Sequence, residues 1–291
     1  MSDPTPSPLE ALSAALASLV AAAAPSVVSV RSARSHSSGF AWRPNLIVTA
    51  DEALAEEGEI TVTLDSGESR KATIAGRDPS TDVALLRIEG EGLHPVKFAA
   101  ELVRPGALAL AIGGGSLVHS GVVAVSGPAW QSMRGGDIAA RIELDLRLRR
   151  QAEGAIVFDA AGRAFGMAVF GPRRRTLVIP AATIERVAAK LERDGHIARG
   201  YLGVGLQPVR VEGLGTPGAM IISLDKDGPA IAAGLHQGDV IVSWDGQNLS
   251  GVNSLLRALG PDSVGRSVAI TVRRGGVALD FTVTVAARPR A

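Results

Sequence analysis

"GRDPSTDVALLRI", residues 76–88, is the stretch that decides the fold. Gly76 to Ser80 is turn chemistry: glycine frees the backbone, proline fixes φ, and aspartate and serine hydrogen-bond their own neighbours. Val83 to Ile88 is then a short apolar run rich in Val, Leu and Ile, the length of a strand rather than of a helix. The same alternation repeats outward in both directions. Upstream lie "VVSV", "LIVTA", "ITVTL" and "KATIAG"; downstream lie "ALALAIG", "GVVAVSG", "ARIELDL", "AIVF" and "AFGMAVF". Between them stand "DSGE", "EGEG", "GGGS" and "DAAGR", which are turns. "GGGS" lacks the lysine of a phosphate-binding loop and the spacing of a dinucleotide loop. About ten short strands between Val27 and Ile179 predict a sandwich or barrels.

The period then changes. In "AATIERVAAKLER", residues 181–193, Ile184, Val187, Ala188 and Leu191 fall on one helical face, and Gly195 follows as a stop. A second unit opens at about Tyr201 and reads as strand, two turns, the helix "VNSLLRAL" and the hairpin "VAITVRRGGVALDFTVTV". Its roughly 90 residues suffice for a small domain.

Bulk properties exclude several functions. The 291 residues are 46% apolar with 34 Gly and 16 Pro, a globular composition rich in turns. Aromatics are 3%, so the cores rest on aliphatic side chains. A net charge of +1 argues against a nucleic-acid binder, and the arginine clusters at 147–150 and 173–175 read as solvated loops. Without cysteine there is no disulfide framework, cysteine zinc site or thiol nucleophile.

Residues 9–24, "LEALSAALASLVAAAA", are the one long apolar stretch. No Lys or Arg precedes them and no clear cleavage site follows, unlike a secretory signal. Sixteen residues are short for a membrane span, and Leu9, Leu12, Leu16, Leu19 and Val20 recur at helical spacing. The expectation is an amphipathic helix docked on the body or on a neighbouring subunit, and a cytoplasmic protein, or a periplasmic one if the N-terminus has been trimmed.

The second unit resembles a bacterial PDZ domain through "GPAIAAGLHQGDVIVSWDGQNL" and "YLGV". That resemblance implies a peptide C-terminus held by the Tyr201–Leu202–Gly203–Val204 loop, with Leu202, Val204, Leu255 and Leu256 shaping the pocket for an apolar last side chain. Backbone N–H groups of a glycine-containing loop suit a carboxylate. The first unit resembles the protease region of HtrA/DegP-type serine proteases, in order, through "PSVVSV", "SSGF", "LIVTA", "GRDPSTDVALLRI", "SGVVAVSG" and "DAAGRAFGMAV". "IPAATIERVAAKLERDGHIARGYLGV" resembles the family's helix and linker into the PDZ domain. The implied fold is all-β dominated: a trypsin-like double β-barrel followed by a small α+β PDZ domain. The implied division is an N-terminal helix over 1–24, the protease-fold domain over 25–182, a linker helix over 183–199 and the PDZ domain over 200–288.

Carried over by motif, the family's acid in "TDVALL" is Asp82. The position of its general base, in "VTADEAL", holds Glu52. The position of its nucleophile, in "QAEGAIVF", holds Glu153, with Gln151 and Ala152 in place of the preceding Gly and Asn. Acyl transfer needs a nucleophile beside a base, and two of three partners are replaced. His36, His94, His119, His196 and His236 read as surface residues, with His94 and His119 in loops. The leading expectation is therefore a pseudoprotease without functional catalytic residues or cofactor, binding peptides or protein C-termini through its PDZ domain. Its role would be scaffold, chaperone-like holder or regulator in protein quality control. The resemblance also implies a homo-oligomer, commonly a trimer, and an active HtrA-type protease as a potential partner. Alternatives are an active serine endopeptidase with an unrecognised triad, a cation site built from Glu52, Asp82 and Glu153, and a carboxylate-pair hydrolase. In the simplest reading the carboxylates turn to solvent or pair with Arg147, Arg149 or Arg150.

Overall fold

The computed structural model describes residues 7–33, 35–99, 103–210 and 217–289. The backbone forms two units. One comprises the chain up to Trp130 with Asp137–His196; the other comprises Gln131–Gly136 and the chain from Ile197 onward.

The first unit begins with helix α1 (Pro8–Ala23), opened by a capping box in which Ser7 and Glu10 each accept the other's backbone N–H. The expected docking face forms only near its end. Ala23 is buried and Leu16, Leu19 and Val20 are partly covered, Leu19 lying over the turn at Gly162. Leu9 and Leu12 instead stand in solvent, 78% and 47% exposed. The helix is apolar on nearly every side, so one contact face cannot cover it.

Six strands follow: β1 (Val27–Ser32), β2 (Ser35–Arg43), β3 (Leu46–Thr49), β4 (Ile60–Thr63), β5 (Ser69–Asp78) and β6 (Val83–Ile88). They close into a barrel in the order β1-β2-β3-β6-β5-β4. Period-two burial drives the closure: in β4, Ile60 and Val62 point inward while Thr61 and Thr63 do not. Val28, Val30, Ile47, Leu86 and Ile88 complete the interior. Strands β7 (Leu108–Gly113) and β8 (Leu117–Gly127) begin a second barrel. After the two-residue strands β9 (Trp130–Gln131) and β10 (Asp137–Ile138), it continues through β11 (Arg141–Asp145), β12 (Ala155–Asp159), β13 (Ala164–Phe170) and β14 (Thr176–Pro180). Its order is β11-β14-β13-β12-β7-β8, again closed. Ala109, Ala111, Val123, Ala155, Ala168 and Phe165 pack inside, the small alanines leaving room for the Phe165 ring. Helix α2 (Ala181–Asp194) follows and buries Ile184, Val187, Ala188 and Leu191. It ends at Gly195 in the left-handed conformation.

The second unit runs through β15 (Gly200–Tyr201), β16 (Val204–Arg210), β17 (Pro217–Leu224), a one-turn helix α3 (Pro229–Ala232), β18 (Val240–Trp244), β19 (Gln247–Asn248), α4 (Val252–Ala258), β20 (Ser267–Arg274), β21 (Val277–Thr284) and β22 (Ala286–Ala287). Its main sheet has the order β16-β17-β18-β20-β21, with β19 on β18, and β15 pairs β22. Ile221, Leu235, Ile241, Leu255, Ile270 and Val283 form its core. Asp239 is fully buried and held by a two-pronged contact from Arg274 at 2.7 and 2.8 Å. Burial would raise that carboxyl's pKa, but the Arg274 guanidinium and the His236 N–H hold it below the usual range.

Candidate functional site

Three segments bring the three carboxylates within electrostatic reach of one another. Glu52 sits in the turn after β3, and that turn is clamped from below. Arg77 donates to the Asp51 carboxylate at 2.5 Å, to the Asp51 carbonyl at 3.0 Å and to the Ala55 carbonyl at 3.3 Å. Asp82 precedes β6 with φ of +58°, a left-handed conformation that non-glycine residues seldom adopt. The turn before it is fixed by buried Asp78, which accepts from Ser80 N–H, Ser80 Oγ and Thr81 Oγ1. Asp82 Oδ1 accepts the Glu52 N–H at 2.8 Å. Asp82 thus reaches the Glu52 segment through a backbone amide and not through an imidazole.

Glu153 caps a 3₁₀ turn, Arg150–Ala152, just before β12, and is 7% exposed. Gly154 follows with φ of +85°; a Cβ there would lie 2.2 Å from the Ser38 carbonyl, so only glycine permits this corner. Ser38 stitches the corner to the first barrel. Its N–H donates to the Glu153 carbonyl at 2.8 Å, and its hydroxyl donates to the Gln151 carbonyl at 2.7 Å. The Glu153 N–H donates back to the Arg150 carbonyl at 3.2 Å. That amide is therefore engaged within its own turn and is not presented to a developing oxyanion.

The three acids interact. Burial is the main cause that pushes Asp82 up to about 7; the Glu52 N–H opposes this, while the charges of Glu52, Glu153 and Asp51 add to it. Burial and then the Glu52 charge raise Glu153, against a hydrogen bond from the Phe170 backbone and the nearby Arg150. Among the described residues no three acidic, histidine or cysteine side chains converge as metal ligands, so these three do not assemble into the cation site considered above.

The cleft has a volume of about 1340 Å³; Glu52 and Glu153 line it together with Arg147, Arg149, Arg150 and Arg174. These arginines are solvent-exposed, as the sequence suggested. His119 departs from its expected place in a surface loop: it is on β8, paired with Ala111, and lines the cleft. The apolar pair Leu117 and Val118, just before it, was the one signal that the strand read from Gly121 extends back through it. Its Nε2 accepts the Arg149 N–H at 3.3 Å, and its Nδ1 has no partner among the described residues. Burial and Arg149 lower its pKa. Neither ring nitrogen of His119 meets a serine or threonine hydroxyl, so no nucleophile-base pair forms at this imidazole.

In the second unit, Tyr201 closes the loop by donating its hydroxyl to Asp225 Oδ2. Gly203 has φ of +72°. The carbonyls of Leu202 and Gly203 accept from Ala230 and Asp225 N–H, both at 2.9 Å, while the Leu202 and Gly203 N–H groups meet no acceptor among the described residues. Val204 begins β16 and pairs with Leu224. Leu202 and Leu255 are 1% and 0% exposed and belong to the core; Leu256, at 42%, faces solvent.

Two family models match: a trypsin-like peptidase domain over residues 37–167 and a PDZ domain over residues 200–285. Among curated proteins, the chain is 32% identical over 267 residues to a "Probable periplasmic serine endoprotease DegP-like" of Brucella suis biovar 1, covering 84% of this chain and 50% of that protein. A protein of the same description from Halomonas elongata is 32% identical over 267 residues, with 87% and 56% covered. The chain thus spans about half the length of these curated relatives. Of solved structures, the "HtrA-type protease AlgW with decapeptide" aligns with a TM-score of 0.70 at 25% identity, covering 94% of this chain and 99% of that one. The serine endoprotease from Yersinia pestis aligns equally well, TM-score 0.70 at 25% identity, covering 93% and 97%.

These findings overturn the cytoplasmic expectation. The relatives are named periplasmic. With the turn that continues it, α1 spans 19 residues, Pro8–Ser26, at mean hydropathy 1.5, enough to cross a membrane by length and composition, as a signal sequence would; only 6% of it is buried. The 16-residue count missed this because the 3₁₀ turn extends the helix past Pro25. Both halves of the fold, their order along the chain and their relatives converge on one conclusion: this chain belongs to the HtrA/DegP-type family of trypsin-like serine proteases carrying a C-terminal PDZ domain.

Proposed function

We propose that this family member is a pseudoprotease that binds peptides or protein C-termini through its PDZ domain, as a scaffold, holder or regulator. The observation that carries the reading is chemical. By motif, Glu153 takes the position of the family's nucleophilic hydroxyl, and its N–H is bonded to the Arg150 carbonyl. Glu52 stands where the base would be, and Asp82 contacts its backbone. A carboxylate is a poor acyl acceptor, and in a triad enzyme stripped of its members only about a thousandfold to ten-thousandfold catalysis over water survives, through the oxyanion site. Here the Glu153 N–H is spent inside the 3₁₀ turn, which supports the loss of that remnant as well.

For the PDZ unit, the supporting feature is the pair of N–H groups at Leu202 and Gly203. They adjoin a left-handed glycine, the arrangement that cradles a carboxylate. Exposed Leu256 then offers an apolar contact to the last side chain. A homo-oligomer and pairing with an active relative belong to the same proposal.

Fluorescence polarisation with labelled peptides tests the binding: free-acid peptides with an apolar C-terminus bind, and their amides bind at least tenfold more weakly. Equal affinity for acid and amide removes the carboxylate loop from the proposal. A fluorogenic-peptide assay at high protein concentration tests the inactivity. Turnover abolished by a serine-directed phosphonate means that a working triad exists.

A further inference from the structure

A second, smaller cavity of about 220 Å³ lies in the first unit, away from the three carboxylates. Trp130, Pro172 and Leu177 give it apolar walls. Its polar lining is a buried Glu143, 5% exposed, and the arginines 141, 173 and 175. Arg141 donates twice to Glu143 Oε1, at 2.9 and 2.6 Å, and Arg175 donates once to Oε2 at 2.9 Å. Burial alone would raise the Glu143 pKa, but these two guanidiniums hold it below the usual range, so the residue stays ionised.

Three features of this cavity go unused by the fold. The Trp130 indole N–H is buried and has no acceptor among the described residues. Arg173 has no ion-pair or hydrogen-bond partner among them either. Arg141 and Arg175 together offer five donors each and spend three of those ten on Glu143. Three arginines against one glutamate leave a surplus of two positive charges around apolar walls. The turn that presents Arg173 is also unusual: Arg173 and Arg174 both have φ of +58°, conformations that side chains other than glycine adopt at a cost and that cluster at binding sites. Arg174 lines the large cleft and Arg173 lines this pocket, so the strained turn splits two adjacent guanidiniums between two cavities.

We infer that this pocket is a binding site for a small organic carboxylate, whose oxygens accept from the Trp130 indole N–H and the Arg173 guanidinium while its apolar body contacts Pro172 and Leu177. A buried N–H without an acceptor calls for an acceptor. The positive surplus selects an anion, the apolar walls select an organic rather than an inorganic one, and the volume admits only a small one. This inference does not rest on the pseudoprotease reading and concerns neither the carboxylate cleft nor the PDZ loop.

Calorimetry on the full chain tests it with benzoate, its neutral isostere benzamide, and hippurate, which presents the same acid group on a peptide-like body. Benzoate is expected to bind and benzamide not to bind. Arg173→Gln, at an exposed position, is expected to weaken benzoate by about tenfold or more, and Trp130→Phe, which keeps an aromatic wall but deletes the indole N–H and its five-membered ring, by about threefold to tenfold. Hippurate binding alone would assign the pocket to chain termini instead of free acids, still as a carboxylate site. Equal binding of benzamide overturns the inference. So does benzoate affinity unchanged in Arg173→Gln, which would place the anion elsewhere, at the PDZ loop for example. No heat with any of the three acids or amides at millimolar concentration overturns it as well.

Discussion

Asp82→Asn should stabilise the first unit at alkaline pH. In the native fold, burial is the chief reason that the Asp82 carboxyl titrates near 7, against an ordinary value of 3.8. A carboxyl with a raised native pKa binds protons more tightly folded than unfolded. Its contribution is therefore neutral below about pH 4. The penalty grows as pH rises between 3.8 and 7, and it is complete above 7. At about 1.4 kcal/mol for each pH unit of that interval, the ceiling is about 4 kcal/mol. Glu52 and Glu153 share the mutual repulsion, and the site keeps some contact with water, so about 2–4 kcal/mol is expected. Asparagine retains an oxygen to accept the Glu52 N–H, so the 2.8 Å hydrogen bond survives the exchange. The assay is urea unfolding from pH 4 to 8.5, followed by fluorescence of Trp42, which lies on β2 of the first barrel. The two proteins should coincide near pH 4 and diverge steadily, the variant being the more stable at pH 8. A variant that is destabilised equally at all pH values would refute the reasoning. So would a wild type that gains stability over the variant between pH 5 and 8.

Other consequences follow from single contacts. Restoring the missing groups with Glu52→His and Glu153→Ser should leave turnover of a fluorogenic peptide about 100-fold or more below an active relative, because the residue 153 N–H remains bonded to Arg150; full activity would show that the 3₁₀ turn opens readily. Gly154→Ala forces a Cβ to within 2.2 Å of the Ser38 carbonyl at φ of +85°, and should cost about 2–4 kcal/mol in denaturant unfolding of the first unit. Arg274→Ala strands the buried Asp239 carboxylate and should destabilise the second unit by about 3–5 kcal/mol, read by Trp244 fluorescence. Gly203→Ala places a Cβ 2.8 Å from Gly228 Cα and should weaken free-acid peptide binding while leaving the first unit's unfolding unchanged.

Much of the fold was legible because its signals are local. The run Val83–Ile88 folds as read, as β6; the turn before it is shorter than Gly76–Ser80 suggested, because β5 runs on to Asp78 and the chain turns only over 79–82. The face Ile184, Val187, Ala188 and Leu191 is buried as its spacing required, and Gly195 stops the helix. Burial every second or every 3.6 residues is a property of the backbone, so it is written in adjacent residues. The identities of Glu52 and Glu153 were equally plain, since a motif places them without coordinates. Less legible were α1, whose cover depends on how little of the body it meets, and His119, whose strand pairing with Ala111 is set by a partner eight residues away.

By itself, then, the sequence determined a run of short strands, the helix after it and a second small unit, because periodicity is carried by neighbours along the chain; the double barrel, the PDZ unit and the two positions holding Glu52 and Glu153 were legible only through the resemblance of its motifs to a family. Only the tertiary structure decided how the amide of Glu153 is spent, how far Asp82 is driven up, and which arginines surround Trp130. Each of these depends on groups from separate strands sharing one volume, where hydrogen bonds must be satisfied and charges lose their water, and distance through space is not recorded in distance along the chain.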